Sequence, residues 1–197
     1  MSRILLIPAA GAGSRFSKAG LAIPKPLIRV NGRSLIEHTL DSFALEPGDQ
    51  LMIAVQRSQS VRSALEAHLQ SSYPGIYLHW LELDALLPGQ LATSATAIRA
   101  LLQQHPEKAA LPLLIHNCDT GFDWNPALGQ IGGFASMAVF KAQGEHWSFG
   151  QPDPTNPEQA IAIAEKRRIS DLASIGLYGF INARSFLEKA DNQLTNG

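Results

Sequence analysis

An α/β fold is what the sequence predicts, and three observations predict it. Short apolar runs at 4–7, 51–55 and 111–115 alternate with stretches whose apolar residues recur three or four positions apart, the pattern of strand, helix, strand, helix. A glycine-rich turn, Pro8-Ala9-Ala10-Gly11-Ala12-Gly13, follows the first run directly. The 197 residues, 45% hydrophobic and 17% charged, suffice for one sizeable core and one domain.

Each element has its own signal. Ile4-Leu5-Leu6-Ile7 is a fully apolar strand. Leu27-Ile28-Arg29-Val30 is a short apolar segment ending at the turn Asn31-Gly32. Ser34 and Glu37 form a Ser-x-x-Glu capping box, and Ile36, Leu40 and Phe43 share one face, so the spacing predicts a helix over 34–44. Residues 51–55 read as a second buried strand, and Val61, Leu65 and Leu69 give the next helix its core stripe. A mixed strand over 76–83 carries Trp80, and a helix over 91–103 turns Ala95, Ile98 and Leu102 inward. Further strands follow at 111–115, 135–140, 147–149, 161–164 and 175–181, with a last helix over 183–190. The Pro-rich stretch from Gln151 to Pro157 reads as a loop.

Composition narrows the partners. A formal net charge of −1 gives no electrostatic reason to expect nucleic acid or an acidic membrane, and the only basic run is Lys166-Arg167-Arg168. One cysteine, Cys118, excludes an intrachain disulfide. No transmembrane-length apolar run and no signal-like start is present, so a soluble cytoplasmic protein is expected.

The chemistry concentrates in a few places. The loop Ala10-Gly11-Ala12-Gly13 lets a backbone approach a ligand closely, and two cations follow it. Arg15 offers a planar fork of donors, and Lys25, between Pro24 and Pro26, a point charge on a stiffened backbone. Together they describe an anion cradle. The dinucleotide fingerprint needs a third glycine where Phe16 stands, and the P-loop needs a Gly-Lys-Ser/Thr that is absent.

Gly89 and Gln90 open the helix over 91–103, where free N–H groups and an amide could read a base or ribose, or simply form a turn. Asp119 follows the strand over 111–115 at its C-terminal end, where ligands enter open α/β sheets, and is the metal-ligand candidate. Magnesium suits it, since that ion takes one or two carboxylates plus substrate phosphates. Asp123 is either a second partner or a solvated loop residue, while His116 and Cys118 read as structural. Scattered histidines give no zinc pattern. Glu165-Lys166 is either a surface charge pair or a grip on a phosphorylated, hydroxyl-bearing substrate.

These residues resemble the sugar-phosphate nucleotidyltransferases, or NDP-sugar pyrophosphorylases. The resemblance rests on Ala9-Ala10-Gly11-Ala12-Gly13-Ser14-Arg15-Phe16, on Pro24-Lys25-Pro26-Leu27 with Val30-x-Gly32 and Leu35-Ile36-Glu37-His38, on Asp119, and on Glu165-Lys166 followed by Ser174-Ile175-Gly176-Leu177-Tyr178. It implies a Rossmann-like, mostly parallel mixed sheet flanked by helices, the glycosyltransferase-A-type nucleotidyltransferase fold. It also implies magnesium-dependent transfer of a nucleotidyl group from a nucleoside triphosphate to a sugar 1-phosphate, serving cell-envelope or capsular polysaccharide precursors.

In that pattern Ala10, Gly11, Ala12, Gly13, Gly89 and Gln90 bind the nucleotide, Arg15 and Lys25 are catalytic, Asp119 holds Mg2+, and Glu165 and Lys166 bind the sugar phosphate. A cytidylyltransferase acting on a non-sugar phosphate such as phosphocholine, or a noncatalytic nucleotide-sugar-binding regulatory protein, stands as the alternative. Family members carry a second acidic metal ligand in a C-terminal extension, for which this chain has no candidate. A single domain over 1–197, with a C-terminal truncation left open, is therefore expected. The base, the sugar and any homo-oligomer stay open at this stage.

Overall fold

The computed structural model describes residues 2–18 and 20–196, without the side chains of Arg15 and Ser17. The chain divides into two compact units, Met1–Ser136 with Gly179–Gly197, and Met137–Tyr178.

The first unit begins with β1 (Ile4–Pro8) and the short helix α1 (Ser14–Lys18). A hairpin follows, β2 (Arg29–Val30) and β3 (Arg33–Ser34), its turn formed by Asn31 at φ 50° and Gly32 at φ 83°. Left-handed backbone at both central positions is what a two-residue hairpin turn requires. Next come α2 (Leu35–Asp41), β4 (Gln50–Gln56), α3 (Val61–Ser72), β5 (Tyr77–Leu83), α4 (Gly89–Gln104) and β6 (Leu113–His116). Strands β1, β4, β5 and β6 are parallel and lie in the order β5-β4-β1-β6. Numbered by appearance that order is 3-2-1-4, which puts the reversal of winding between β1 and β6.

Alternation along the strands builds a layer on each face. Ile4 and Leu6, Met52 and Ala54, and Leu113 and Ile115 pack against Ala95, Ile98 and Leu101 of α4, and against Ala183, Phe186 and Ala190 of α5 (Ala183–Asn196). Each Ile, Leu, Met or Phe among them contributes about 1.5–3 kcal/mol when fully buried. Leu5, Ile7, Leu51, Ile53 and Val55, also fully buried, project to the opposite face. The stripe Val61, Leu65 and Leu69 is buried as the sequence predicts, and α3 packs on β4 and β5. In α4 the inward residue is Leu101, 2% exposed, rather than Leu102, which is only half-buried against the same cluster.

The capping box forms. The Ser34 backbone N–H and hydroxyl both donate to Glu37 Oε2, at 2.8 and 2.5 Å, and the Glu37 N–H donates back to Ser34 Oγ. His68 on α3 stands 2.9 Å from the other Glu37 oxygen, so the cap also ties α2 to α3.

The second unit is antiparallel. It contains most of β7 (Ala135–Lys141), β8 (Ser148–Pro152), β9 (Ala160–Glu165) and most of β10 (Leu172–Phe180). Its order is β10-β8-β9, with β7 also on β10, around a small core of Ala142, Phe149 and Ala173. Gln151 and Pro152, read from sequence as loop, belong to β8. A register shift at that point admits a proline at a strand end.

Candidate active site

The site residues of the first unit come from loops at the C-terminal ends of its parallel strands. Ala9 donates its N–H to Ala54 O at 2.8 Å, and Ala9 and Ala10 are buried, so the glycine loop leaves β1 on a fixed base. Gly11 and Ala12 are exposed, and a Cβ built on Gly11 would meet nothing within 4 Å. Gly13, at φ 60°, takes a left-handed conformation that side chains rarely adopt and accepts the Phe16 N–H at 2.9 Å. The loop thus presents backbone to open space. Arg15 lies in α1, with its side chain outside the described part.

Pro24 and Pro26 set Lys25. Residues Lys25–Leu27 make one turn of 3-10 helix, with Pro26 buried and the Leu27 N–H donating to Pro24 O at 2.8 Å. From that anchor the Lys25 ammonium reaches Asp119 Oδ2 at 2.5 Å and stands 5.9 Å from the Phe16 ring centre. Asp119 lies three residues beyond the end of β6. The pair therefore joins the loops around the β1/β6 reversal point, where open α/β sheets bind ligands. Both side chains keep about a third of their surface open, at 27% and 32%.

Gly89 and Gln90 open α4, a helix of 16 residues, and their N–H groups stand at its positive end. Gly89 is left-handed at φ 83°, with open space where a Cβ would be. The Gln90 amide donates to Asn117 Oδ1 at 3.4 Å, beside the end of β6.

Sequence reasoning missed Gln56. This buried residue ends β4 and donates from Nε2 to Ala10 O at 3.0 Å and to Ala85 O at 3.3 Å. It ties the glycine loop to the loop that leads into Gly89. A lone amide closing an apolar strand was the only visible signal.

The neighbours of Asp119 are structural. Burial pushes the Cys118 thiol up to about 11, with Lys25 opposing and Asp119 reinforcing the shift, so it stays a neutral thiol. His116 is buried, stands 2.8 Å from Thr120 O, and packs edge-on against Phe43 and Phe122. Asp123 is exposed on the rim of an open groove with His38, Asp41 and Ser42.

In the second unit, Glu165 ends β9 and Lys166 follows at φ 52°. They pair with each other, Nζ to Oε1, at 3.1 Å, and both are exposed. That geometry suits a solvated charge pair and leaves the ammonium accessible.

The class of protein is a nucleotidyltransferase, and the family match establishes it. The family model described as the MobA-like NTP transferase domain matches residues 5–188, and the chain belongs to that family.

Among solved structures the chain is similar to the nucleoside-diphosphate-sugar pyrophosphorylase of Vibrio cholerae RC9, at 26% identity and a TM-score of 0.78, over 98% of this chain and 79% of that one. It shares the fold of a UDP-glucose pyrophosphorylase from Acinetobacter baumanii, at 16% identity, a TM-score of 0.69, and 100% and 83% coverage. It also shares the fold of a UDP-glucose pyrophosphorylase complexed with UDP-glucose, at 17% identity, a TM-score of 0.70, and 97% and 80% coverage. A search of curated proteins returned no match. Among the described residues no helix is long and apolar enough to cross a membrane.

Proposed function

We propose that the chain transfers a nucleotidyl group from a nucleoside triphosphate to a sugar 1-phosphate, making NDP-sugars for cell-envelope or capsular polysaccharides in the cytoplasm. The observation that carries this reading is the Lys25–Asp119 pair beside the open glycine loop. An oxygen of the sugar 1-phosphate attacks the α-phosphorus in line, the α–β bridging P–O bond breaks, and pyrophosphate leaves with that bond's electrons. Such a displacement asks for positioning and charge neutralisation rather than a protein nucleophile.

The N–H groups of Ala10, Gly11, Ala12 and Gly13 approach the phosphates, and Gly89 and Gln90 lie against the nucleoside. Lys25 and Arg15 neutralise the charge that builds on the departing pyrophosphate. Asp119 is a single hard carboxylate, and among the described residues no group of three His, Cys, Asp or Glu forms a protein cage. Such a donor set fits magnesium held jointly with substrate phosphates, and the ion would supply further charge neutralisation there. Lys25 must then exchange Asp119 for phosphate oxygens as the nucleotide enters. Glu165 and Lys166 take the sugar phosphate, an assignment that rests on the family pattern, and residues 1–197 act as one nucleotidyltransferase domain.

The test is pyrophosphate release over a panel of triphosphates and sugar 1-phosphates with magnesium. One productive pair, silenced by Asp119→Ala, supports the reading. A folded protein silent on every pair overturns it.

A further inference from the structure

Strand β4 lies between β1 and β5, and its last residue is Gln56. The glycine loop leaves β1 on one side, while the stretch 84–88 leaves β5 on the other and runs into Gly89. A side chain closing β4 can therefore reach both. Gln56 does so from a position only 7% exposed, its Nε2 donating to Ala10 O at 3.0 Å and to Ala85 O at 3.3 Å. Both partners are carbonyl oxygens, which only accept, so the amide nitrogen must face them and the side chain has one orientation.

Neither loop is held as firmly elsewhere. Ala10 is buried, but the next two residues, Gly11 and Ala12, are exposed. Ala85 and Leu86 are exposed as well, and the other side-chain bond to 84–88 among the described residues runs from Arg57 Nε to Asp84 Oδ1 at 2.7 Å. Those two side chains are 57% and 80% exposed, so water competes for the pair and it restrains the stretch weakly.

We propose that Gln56 is a positioning residue that fixes the spacing between the loop meeting the phosphates and the loop meeting the nucleoside. This role depends on the nucleotidyl transfer proposed above, in which one nucleoside triphosphate spans residues 11–13 and Gly89. A ligand gripped at both ends binds tighter than its pieces only while the two grips stand at the right separation, because the second contact then costs little further ordering. Without the Gln56 donors each loop keeps its own backbone, but nothing buried sets the distance between them. The whole nucleotide then loses affinity and its fragments do not.

Calorimetry on the full chain with magnesium tests this, titrating UTP, CTP, GTP and dTTP, and separately tripolyphosphate, which carries the phosphate chain without a nucleoside. Gln56→Met keeps the length of the side chain but has no donor. It should weaken the best triphosphate about tenfold and tripolyphosphate by less than about twofold. Gln56→Asn, too short to hold both carbonyls, should do the same, and serves should the methionine disturb folding. In the rate assay the KM for the triphosphate should rise while the KM for the sugar 1-phosphate stays as in wild type. A merely structural loss would weaken every ligand together.

Variants that bind the triphosphate as wild type does, or that lose triphosphate and tripolyphosphate by the same factor, overturn the positioning role and leave the proposed function standing. A folded wild type that binds no triphosphate overturns the proposed function, and the role of Gln56 with it.

Discussion

Lys25 sits on a turn fixed by two prolines, one of them buried, and spends its charge on an aspartate that is itself open to solvent. A partly exposed ion pair of this sort adds little to stability. Lys25→Ala should therefore leave the melting temperature nearly unchanged while cutting turnover about 100-fold, as expected when one donor to developing negative charge is removed. Arg15→Ala should behave alike. Thermal melts beside initial rates check both, and a parallel fall in the two readouts would mark the cations as structural. Cys118 gives the opposite case. With burial raising its thiol to about 11, it should resist iodoacetamide at neutral pH in the folded protein and react fully once unfolded. Mass spectrometry of the two samples decides.

At the scale of elements, the link from α2 to α3 runs through Glu37. Burial raises the pKa of its carboxyl, but hydrogen bonds from the Ser34 hydroxyl and backbone N–H, and from His68, outweigh that and hold it at about 2. A depressed folded pKa means that the unfolded chain binds the extra proton first. The stabilisation is complete above the ordinary value of 4.5 and is lost as pH falls from there toward 2. Glu37→Gln should cost about 1–3 kcal/mol near neutrality and flatten the fall in stability over that acid window, measurable by urea unfolding at several pH values.

The capping box was legible because its signal is local: a serine, a glutamate three residues on, and an apolar stripe. The Asn31-Gly32 turn was legible too, yet β3 was not, since two-residue strands have no periodicity to show. Leu101 was passed over for Leu102 because the stripe was drawn for a helix on a sheet, whereas α4 also packs on α5, from the far end of the chain. Gln56 escaped for the same reason, its partners Ala10 and Ala85 lying 46 and 29 residues away. Residues whose roles are set by neighbours near in sequence could be read; those set by distant chain could not.

At the scale of the molecule, the two units differ in how their strands are protected. Strands β1, β4 and β6 are buried on both faces, with main-chain bonds along both edges of β1 and β4. Strand β9 has one paired edge and almost no cover. Amides open by local fluctuation with free energies from near zero up to the global value, and the deepest paired strands define the top of that range. Exchange should therefore be slowest at residues 4–7 and at Gln50–Gln56, and much faster at the β9 amides that do not face β8. Hydrogen exchange read by mass spectrometry checks this order, and β9 amides as slow as those of β1 and β4 would overturn it.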